Sequence, residues 1–124
     1  MILTNPVVAV TGGRFWNQQE TTWAFLDHIH DNISISALIH GAARGADTLC
    51  GEWAKSRSIP VVEVPIGPDD WNKSGALAGH RRNQDMIDLS PDCVIAFPGE
   101  SGTADMIKRA KRAGIEIYRW CPHY

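Results

Sequence analysis

The amino-acid sequence predicts an α/β sandwich built on a five-stranded, largely parallel sheet. Five short apolar runs recur along the 124 residues, and stretches with helical spacing separate them. Most of the apolar runs are rich in β-branched residues, which favour strands. Each connection is long enough to hold a helix, as a parallel crossover requires. We therefore expect the order β-α-β-α-β-α-β-α-β within a single domain, residues 1–124.

The predicted strands are defined by the apolar runs. They are Val7–Thr11, Ile35–His40, Val61–Val64, Cys93–Phe97 and Ile115–Trp120. The first and the fourth are almost continuously apolar, which is typical of strands that are buried on both faces.

Four helices are predicted between these strands. Asn17 and Glu20 have the spacing of a capping box at the start of the first helix. Further along this helix, Trp23, Leu26 and His30 share one face. The apolar residues of the other helices are Leu49, Trp53 and Ala54 in the second, Met86, Ile87 and Leu89 in the third, and Ala104, Ile107 and Ala110 in the fourth, which ends at Gly114.

The composition excludes several classes of protein. Apolar residues make up 44% of the chain and charged residues 21%, so we exclude disorder as the main state. A net charge of −2 argues against electrostatically driven binding of duplex DNA. Cys50, Cys93 and Cys121 are widely spaced and form no CxxC pair, which favours a reducing compartment. No apolar run approaches the ~20 residues of a membrane span. We therefore expect a soluble, cytoplasmic protein without a membrane partner.

Glycine-rich loops follow three of the predicted strands, at residues 11–16, 40–47 and 97–103. In an open parallel sheet, ligands bind beyond the carboxyl ends of the strands, where the strand order reverses. Glycine lets the backbone approach an anion closely, and the free N–H groups at the start of the next helix hold a phosphate. These loops therefore predict a site for a phosphate-bearing ligand.

The candidate ligand-binding residues lie in these loops and in the third helix. They are Gly12, Gly13, Arg14, Gly41, Arg44, Gly45, Asp47, Arg82, Asn83, Pro98, Gly99, Ser101, Gly102 and Thr103. Arginines bind phosphate oxygens in bidentate fashion. The Thr103 hydroxyl is available to donate to a phosphate or to cap its own helix. Asp47 and Asp105 are both predicted in the first turn of a helix, where the dipole favours a carboxylate. Asp47 would also receive ribose hydroxyls or orient Arg44.

The aromatic residues and the histidines give weaker predictions. Trp16 and Trp71 are predicted in loops, where either would stack on a base, form a lid or make an oligomer contact. His28 and His30 are two residues apart on a helix and therefore point in different directions. We predict no metal site and no cofactor.

Four motifs together carry a resemblance to a known family. They are Thr-Gly-Gly-Arg at 11–14, Gly-Ala-Ala-Arg-Gly-Ala-Asp at 41–47, Gly-His-Arg-Arg-Asn at 79–83 and Ala-Phe-Pro-Gly-Glu-Ser-Gly-Thr-Ala-Asp-Met at 96–106. In this order they resemble the YspA/cpYpsA-related branch of the SLOG superfamily, which is common in bacteria and their phages. The resemblance covers nearly the whole chain and implies a Rossmann-like fold with a site for a nucleotide or a nucleotide-derived ligand. Relatives often dimerise, which admits a homodimer or a higher homo-oligomer.

The SLOG superfamily also contains the Lonely-guy enzymes, which cleave the N-glycosidic bond of nucleoside monophosphates. Their motif Pro-Gly-Gly-x-Gly-Thr-x-x-Glu is similar to residues 98–106, but Met106 occupies the position of the catalytic Glu and Glu100 that of the second glycine. Their catalytic arginine matches Arg82. The resemblance thus makes Arg82, Asp105 and Glu100 the catalytic candidates.

Three functions remain open at this stage. The first is binding or sensing of a nucleotide-like small molecule of the AMP, NAD or ADP-ribose type, which we favour. The second is N-glycosidic hydrolysis of a nucleotide. The third is single-strand nucleic-acid binding, similar to that of the DNA-processing protein DprA, through Arg44, Trp16 and the basic C-terminal helix. We rank it last and do not expect a nucleic-acid partner, because the net charge is slightly negative.

Overall fold

The five predicted strands form one parallel sheet that carries helices on both faces. The structure, a computed structural model, describes residues 3–122, without the side chains of Trp71, Lys73, Ser74 and Ala76. The elements are β1 (Val7–Thr11), α1 (Gln19–Ile33), β2 (Ala37–His40), α2 (Ala46–Ser56), β3 (Val61–Glu63), α3 (Pro68–Ser74), α4 (Ala76–Asp88), β4 (Cys93–Ala96), α5 (Ser101–Arg112) and β5 (Glu116–Arg119). The predicted α/β class and the three-layer, Rossmann-like sandwich are confirmed.

The strand order is β3-β2-β1-β4-β5, and every neighbouring pair is parallel. The chain builds one half of the sheet outward from β1 and then returns to add β4 and β5 on the other side of β1. The order therefore reverses between β1 and β4, where the loops that follow these two strands diverge and leave a crevice.

The central strand β1 divides the core into two layers. Val8 and Val10 face the cluster that contains Trp53, on the side of α1 and α2. Ala9 faces the cluster that contains Met106, on the side of α4 and α5. All five side chains are at most 1% exposed, which explains why β1 is apolar at consecutive positions. The predicted core position of Trp53 is confirmed.

The start of α1 differs from the prediction. The N-cap is Gln18, and no side chain caps the helix, so the predicted capping box of Asn17 and Glu20 is wrong. The Thr22 N–H donates to the Gln18 carbonyl at 2.9 Å, while the Asn17 carbonyl accepts from the Gln19 N–H at 3.1 Å. Asn17 thus belongs to the turn before the helix, where its side chain is not placed to cap.

Two further predictions are wrong in the segment between β3 and β4. The chain forms two helices there instead of one, because α3 precedes α4. A helix of seven residues is too short for a clear apolar period, although Pro68 at its first position is a favourable start. Leu89 is the C-cap of α4 and is 51% exposed, whereas Met86 and Ile87 are buried as predicted. Between residues 3 and 122, no helix combines the length and the apolar character that crossing a bilayer requires.

Candidate functional site

A cleft of about 660 Å³ opens at the carboxyl ends of β1 and β4, where the strand order reverses. Its volume lies within the range of about 300–1,000 Å³ that is usual for small-molecule sites. The sequence-predicted residues that line it are Gly12, Gly13, Arg14, Arg44, Asp47, Arg82, Asn83, Pro98, Gly99, Glu100, Ser101, Gly102 and Thr103. The fold thus brings together residues from three loops and from α4. Gly41, Gly45 and Asp105 lie behind this lining.

Gly13 connects the three loops. Its N–H donates to the Pro98 carbonyl at 2.8 Å, and its carbonyl accepts from the Ala46 N–H at 3.1 Å. Gly45 has a φ of +78°, and a Cβ at this position would overlap the Gly13 carbonyl oxygen. Gly13 and Gly45 therefore shape the cleft by holding its walls together, and the Gly13 N–H is already satisfied within the protein.

The N-terminus of α5 opens into the cleft. The first helical hydrogen bond runs from the Ala104 N–H to the carbonyl of the N-cap Glu100, at 3.0 Å. The N–H groups of residues 101–103 precede it and have no acceptor within the helix. No side chain caps α5, so the alternative in which Thr103 caps its own helix is wrong. The Thr103 Oγ1 instead lies against Gly99, where a Cβ would overlap it.

Gly102 leaves space above these N–H groups. A Cβ at Gly102 would have no atom of the protein within 4 Å, and its φ is not positive. Packing and backbone conformation therefore do not require glycine at this position. The missing side chain keeps the cleft open over the first turn of α5, as the approach of a phosphate to the backbone would need.

Arg82 reaches across the cleft from α4. Its Nη1 donates to the Gly41 carbonyl, and its Nε donates to Asn83 Oδ1 at 3.3 Å. A Cβ at Gly41 would overlap the guanidinium, so glycine is needed there. Burial lowers the pKa of Arg82, and the charge of Arg14 lowers this pKa further, while Asp47 acts in the opposite direction. Arg14 and Arg82 are therefore close enough to repel each other.

Asp47 organises the loop between β2 and α2. Its Oδ2 accepts from the N–H groups of Gly41 and Ala43, at 3.1 and 3.2 Å. Burial raises the pKa of this carboxyl, against the opposing effects of the Ala43 N–H and of Arg82. The arginine whose charge acts on Asp47 is thus Arg82, whereas the sequence analysis paired it with Arg44, an exposed residue.

Asp105 ties α4 to α5 behind the cleft. It is the fifth residue of α5, so its predicted position in the first turn is wrong. Its Oδ2 accepts from Arg109 Nε at 2.8 Å and from Asn83 Nδ2 at 3.1 Å. Burial opposes ionisation, but these two hydrogen bonds outweigh it and hold the pKa of Asp105 below its usual value. His80, which lines the cleft, has its Nδ1 4.0 Å from Asp105 Oδ1. Asp105 is therefore an ionised, structural carboxylate.

Met106, at the position of the Lonely-guy catalytic glutamate, is fully buried. It packs in the cluster that contains Ala9 and Val94, beneath the sheet face rather than in the cleft. An ionised glutamate in this apolar layer would be strongly penalised by desolvation. The core on this side therefore requires an apolar residue at position 106.

Sequence analysis missed the aromatic residue that is exposed at the cleft. Phe15 lines the cleft and is 82% exposed. The adjacent Trp16 is half-buried, with its ring centroid 6.1 Å from that of Phe97 and 5.0 Å from that of Trp120. Its Nε1 donates to Thr22 Oγ1 at 2.7 Å. Trp16 thus packs on the core, and nothing in the local sequence distinguishes it from its neighbour.

Gly79 and His80 were also missed as cleft residues. Both lie one turn before Arg82 and Asn83 on α4, so the helical period was the signal that could have found them. Trp71 lies in α3, where the sequence analysis expected a loop, and its side chain falls outside the described residues.

The interactions of Asp105 predict a pH-dependent contribution to stability. Its pKa is lowered in the folded protein, so this contribution is present above the usual value of 3.8 and is lost as the pH falls through the folded-state pKa. We expect Asp105→Asn to lower the free energy of unfolding by about 1–2 kcal/mol at pH 7. Urea titrations should show that this difference shrinks below about pH 4.

Asp31→Asn is the matched control, because Asp31 is an exposed carboxylate on α1. Its effect should stay within about 0.5 kcal/mol at any pH. Equal stability of Asp105→Asn and the wild type at pH 7 would contradict the role given to Asp105.

Comparisons with known proteins agree with this fold and cleft. Residues 6–73 match the model of the YspA, cpYpsA-related SLOG family, a range that includes the loops after β1 and β2. The chain is also similar to the Gene 61 protein of Mycobacterium phage D29, with 35% identity over 115 residues, which are 89% of this chain and 92% of the phage protein. Membership of the SLOG superfamily suggests a nucleotide-related binding or modifying role. The two matches show that the chain belongs to the YspA/cpYpsA-related SLOG family.

Proposed function

We propose that this protein binds a nucleotide, or a small molecule derived from one, and acts as a binding or sensing module. The observation that carries the proposal is the N-terminus of α5, where the N–H groups of residues 101–103 precede the first helical hydrogen bond and face the cleft. These groups and the helix dipole favour an anion. Because Gly102 leaves open space there, a phosphate can approach the backbone.

The charges around the cleft support the same ligand. Arg14 and Arg82 line it together and repel each other, as the lowered pKa of Arg82 indicates. An anion between two guanidinium groups replaces this repulsion with two attractive, charge-assisted interactions. Arg44, exposed on the opposite loop, adds a third positive charge.

The remaining cleft residues suit the nucleoside part of the ligand. The ring of Phe15 is exposed at the cleft and offers an apolar face for a base. Asp47 accepts both loop N–H groups on Oδ2, which leaves Oδ1 to accept a ribose hydroxyl. The proposed ligand therefore spans from Phe15 and Asp47 to the N-terminus of α5.

Removal of the Arg14 charge should weaken binding without affecting the fold. We expect Arg14→Gln to reduce the affinity for AMP by about tenfold or more, because a hydrogen bond to a charged group contributes roughly 1.5–3 kcal/mol. Isothermal titration calorimetry on the purified protein measures the change. Arg112→Gln is the matched control, since Arg112 is exposed at the opposite end of α5, about 16 Å from Ser101. Equal loss in both variants, or no binding of AMP, NAD or ADP-ribose by the wild type, would contradict the proposal.

Hydrolysis of the N-glycosidic bond is the second candidate, and Glu100 is the observation that favours it. Among the described residues that line the cleft, the carboxylates are Asp47 and Glu100, and Asp47 is committed to its loop. Glu100 is exposed at the N-cap of α5 and is thus the carboxylate that a hydrolase would use near the sugar.

Substitution of Glu100 separates the two candidates. A binding module releases no adenine from AMP, and Glu100→Gln should bind AMP about threefold more tightly, because a negative charge beside the phosphate is removed. Chromatography of the products and calorimetry of the variant measure both effects. Adenine release by the wild type that disappears in Glu100→Gln would instead establish the hydrolase.

A further inference from the structure

A second, smaller depression adjoins the cleft. It has a volume of about 270 Å³ and lies between the loop after β3 and helix α4. We call it the annex and define it by six of its lining residues, which are Ile66, Gly67, Ala78, Arg81, Arg82 and Asp85. Its volume falls just below the range of about 300–1,000 Å³ that is usual for an independent ligand site. The annex is therefore better understood as an extension of the cleft than as a separate site.

Arg82 joins the two depressions. Successive residues of an α-helix are rotated by about 100°, so Gly79 and Asn83 lie to one side of Arg82, while Ala78 and Asp85 lie to the other. The first pair lines the cleft, the second pair lines the annex, and Arg82 lines both. A ligand that passes from the cleft into the annex must therefore cross the Arg82 guanidinium.

The charges of the annex determine what can occupy it. Arg81 forms an ion pair with Asp70, which also borders the annex, so these two charges offset each other. Asp85 adds a carboxylate that is exposed to solvent. A further phosphate in the annex would be repelled by the two carboxylates, whereas hydroxyl groups would donate to them. The side chains of Ile66 and Ala78 contribute apolar surface, which suits the carbon face of a sugar ring.

We propose that the ligand is a nucleoside diphosphate whose second phosphate carries an uncharged sugar, with the sugar in the annex and the diphosphate between the N-terminus of α5 and Arg82. This inference rests on the proposed function and names its ligand class. A diphosphate diester carries one negative charge on each phosphate, which matches two separate cationic positions, the end of α5 and the guanidinium of Arg82. Asp85 then accepts hydrogen bonds from the sugar hydroxyls.

Gly67 allows the annex to be filled without disturbing the cleft. Gly67 is exposed, its φ is not positive, and a Cβ there would have no atom within 4 Å. Gly67→Phe therefore introduces a large side chain at the wall of the annex, and Gly67→Ala is the matched control that adds only a methyl group. Calorimetric titration of each protein with ADP and with ADP-ribose measures the two parts of the ligand separately.

We expect Gly67→Phe to weaken the binding of ADP-ribose by about tenfold or more and to leave the binding of ADP unchanged, because only the sugar enters the annex. Gly67→Ala should bind both ligands as the wild type does. Asp85→Asn is a second variant that does not depend on filling the annex, and it should weaken ADP-ribose selectively.

Unchanged ADP-ribose affinity in both Gly67→Phe and Asp85→Asn would overturn the inference while leaving the proposed function intact. Equal losses of ADP and ADP-ribose in a folded Gly67→Phe protein would also overturn it, since the annex would then not be specific to the sugar. If the wild type binds neither ligand nor AMP, the proposed function and the inference both fail.

Discussion

Three loops of the molecule meet at one glycine. Gly13 donates to the loop after β4 through Pro98 and accepts from the start of α2 through Ala46. Neither hydrogen bond could form if side chains separated these backbones, and Gly45 meets the same requirement with its positive φ. Because this contact lies where the strand order reverses, it fixes the floor of the cleft. The positions of α5 and of the arginines above it depend on that floor.

The cleft carries polar and charged groups that the fold itself uses only in part. Asp47 and Arg82 serve the loop after β2, and Asn83 and Asp105 serve the contact between α4 and α5. The first N–H groups of α5 have no acceptor within the helix. The repulsion between Arg14 and Arg82 lowers stability, and an anion would relieve it. Proteins retain such unfavourable local arrangements where they bind ligands.

The sequence was sufficient for the features that are local or periodic. The apolar runs located all five strands, and the glycines located the loops that line the cleft, because close backbone approach restricts the choice of residue more than any other requirement. Features that depend on distant partners could not be predicted. Trp16 is taken into the core by Phe97 and Trp120, from which it is separated by most of the chain, so Phe15 is left at the cleft. The role of Asp105 likewise depends on α4, a separate helix.

The most direct test of the phosphate site follows the backbone amides of Ser101, Gly102 and Thr103 in ¹⁵N–¹H NMR spectra. Titration with AMP should shift these three signals, because the phosphate accepts hydrogen bonds from the N–H groups at the start of α5. Adenosine, which lacks the phosphate, should leave them unmoved while still shifting residues near Phe15. Saturable AMP binding that does not move the signals of residues 101–103 would contradict the account.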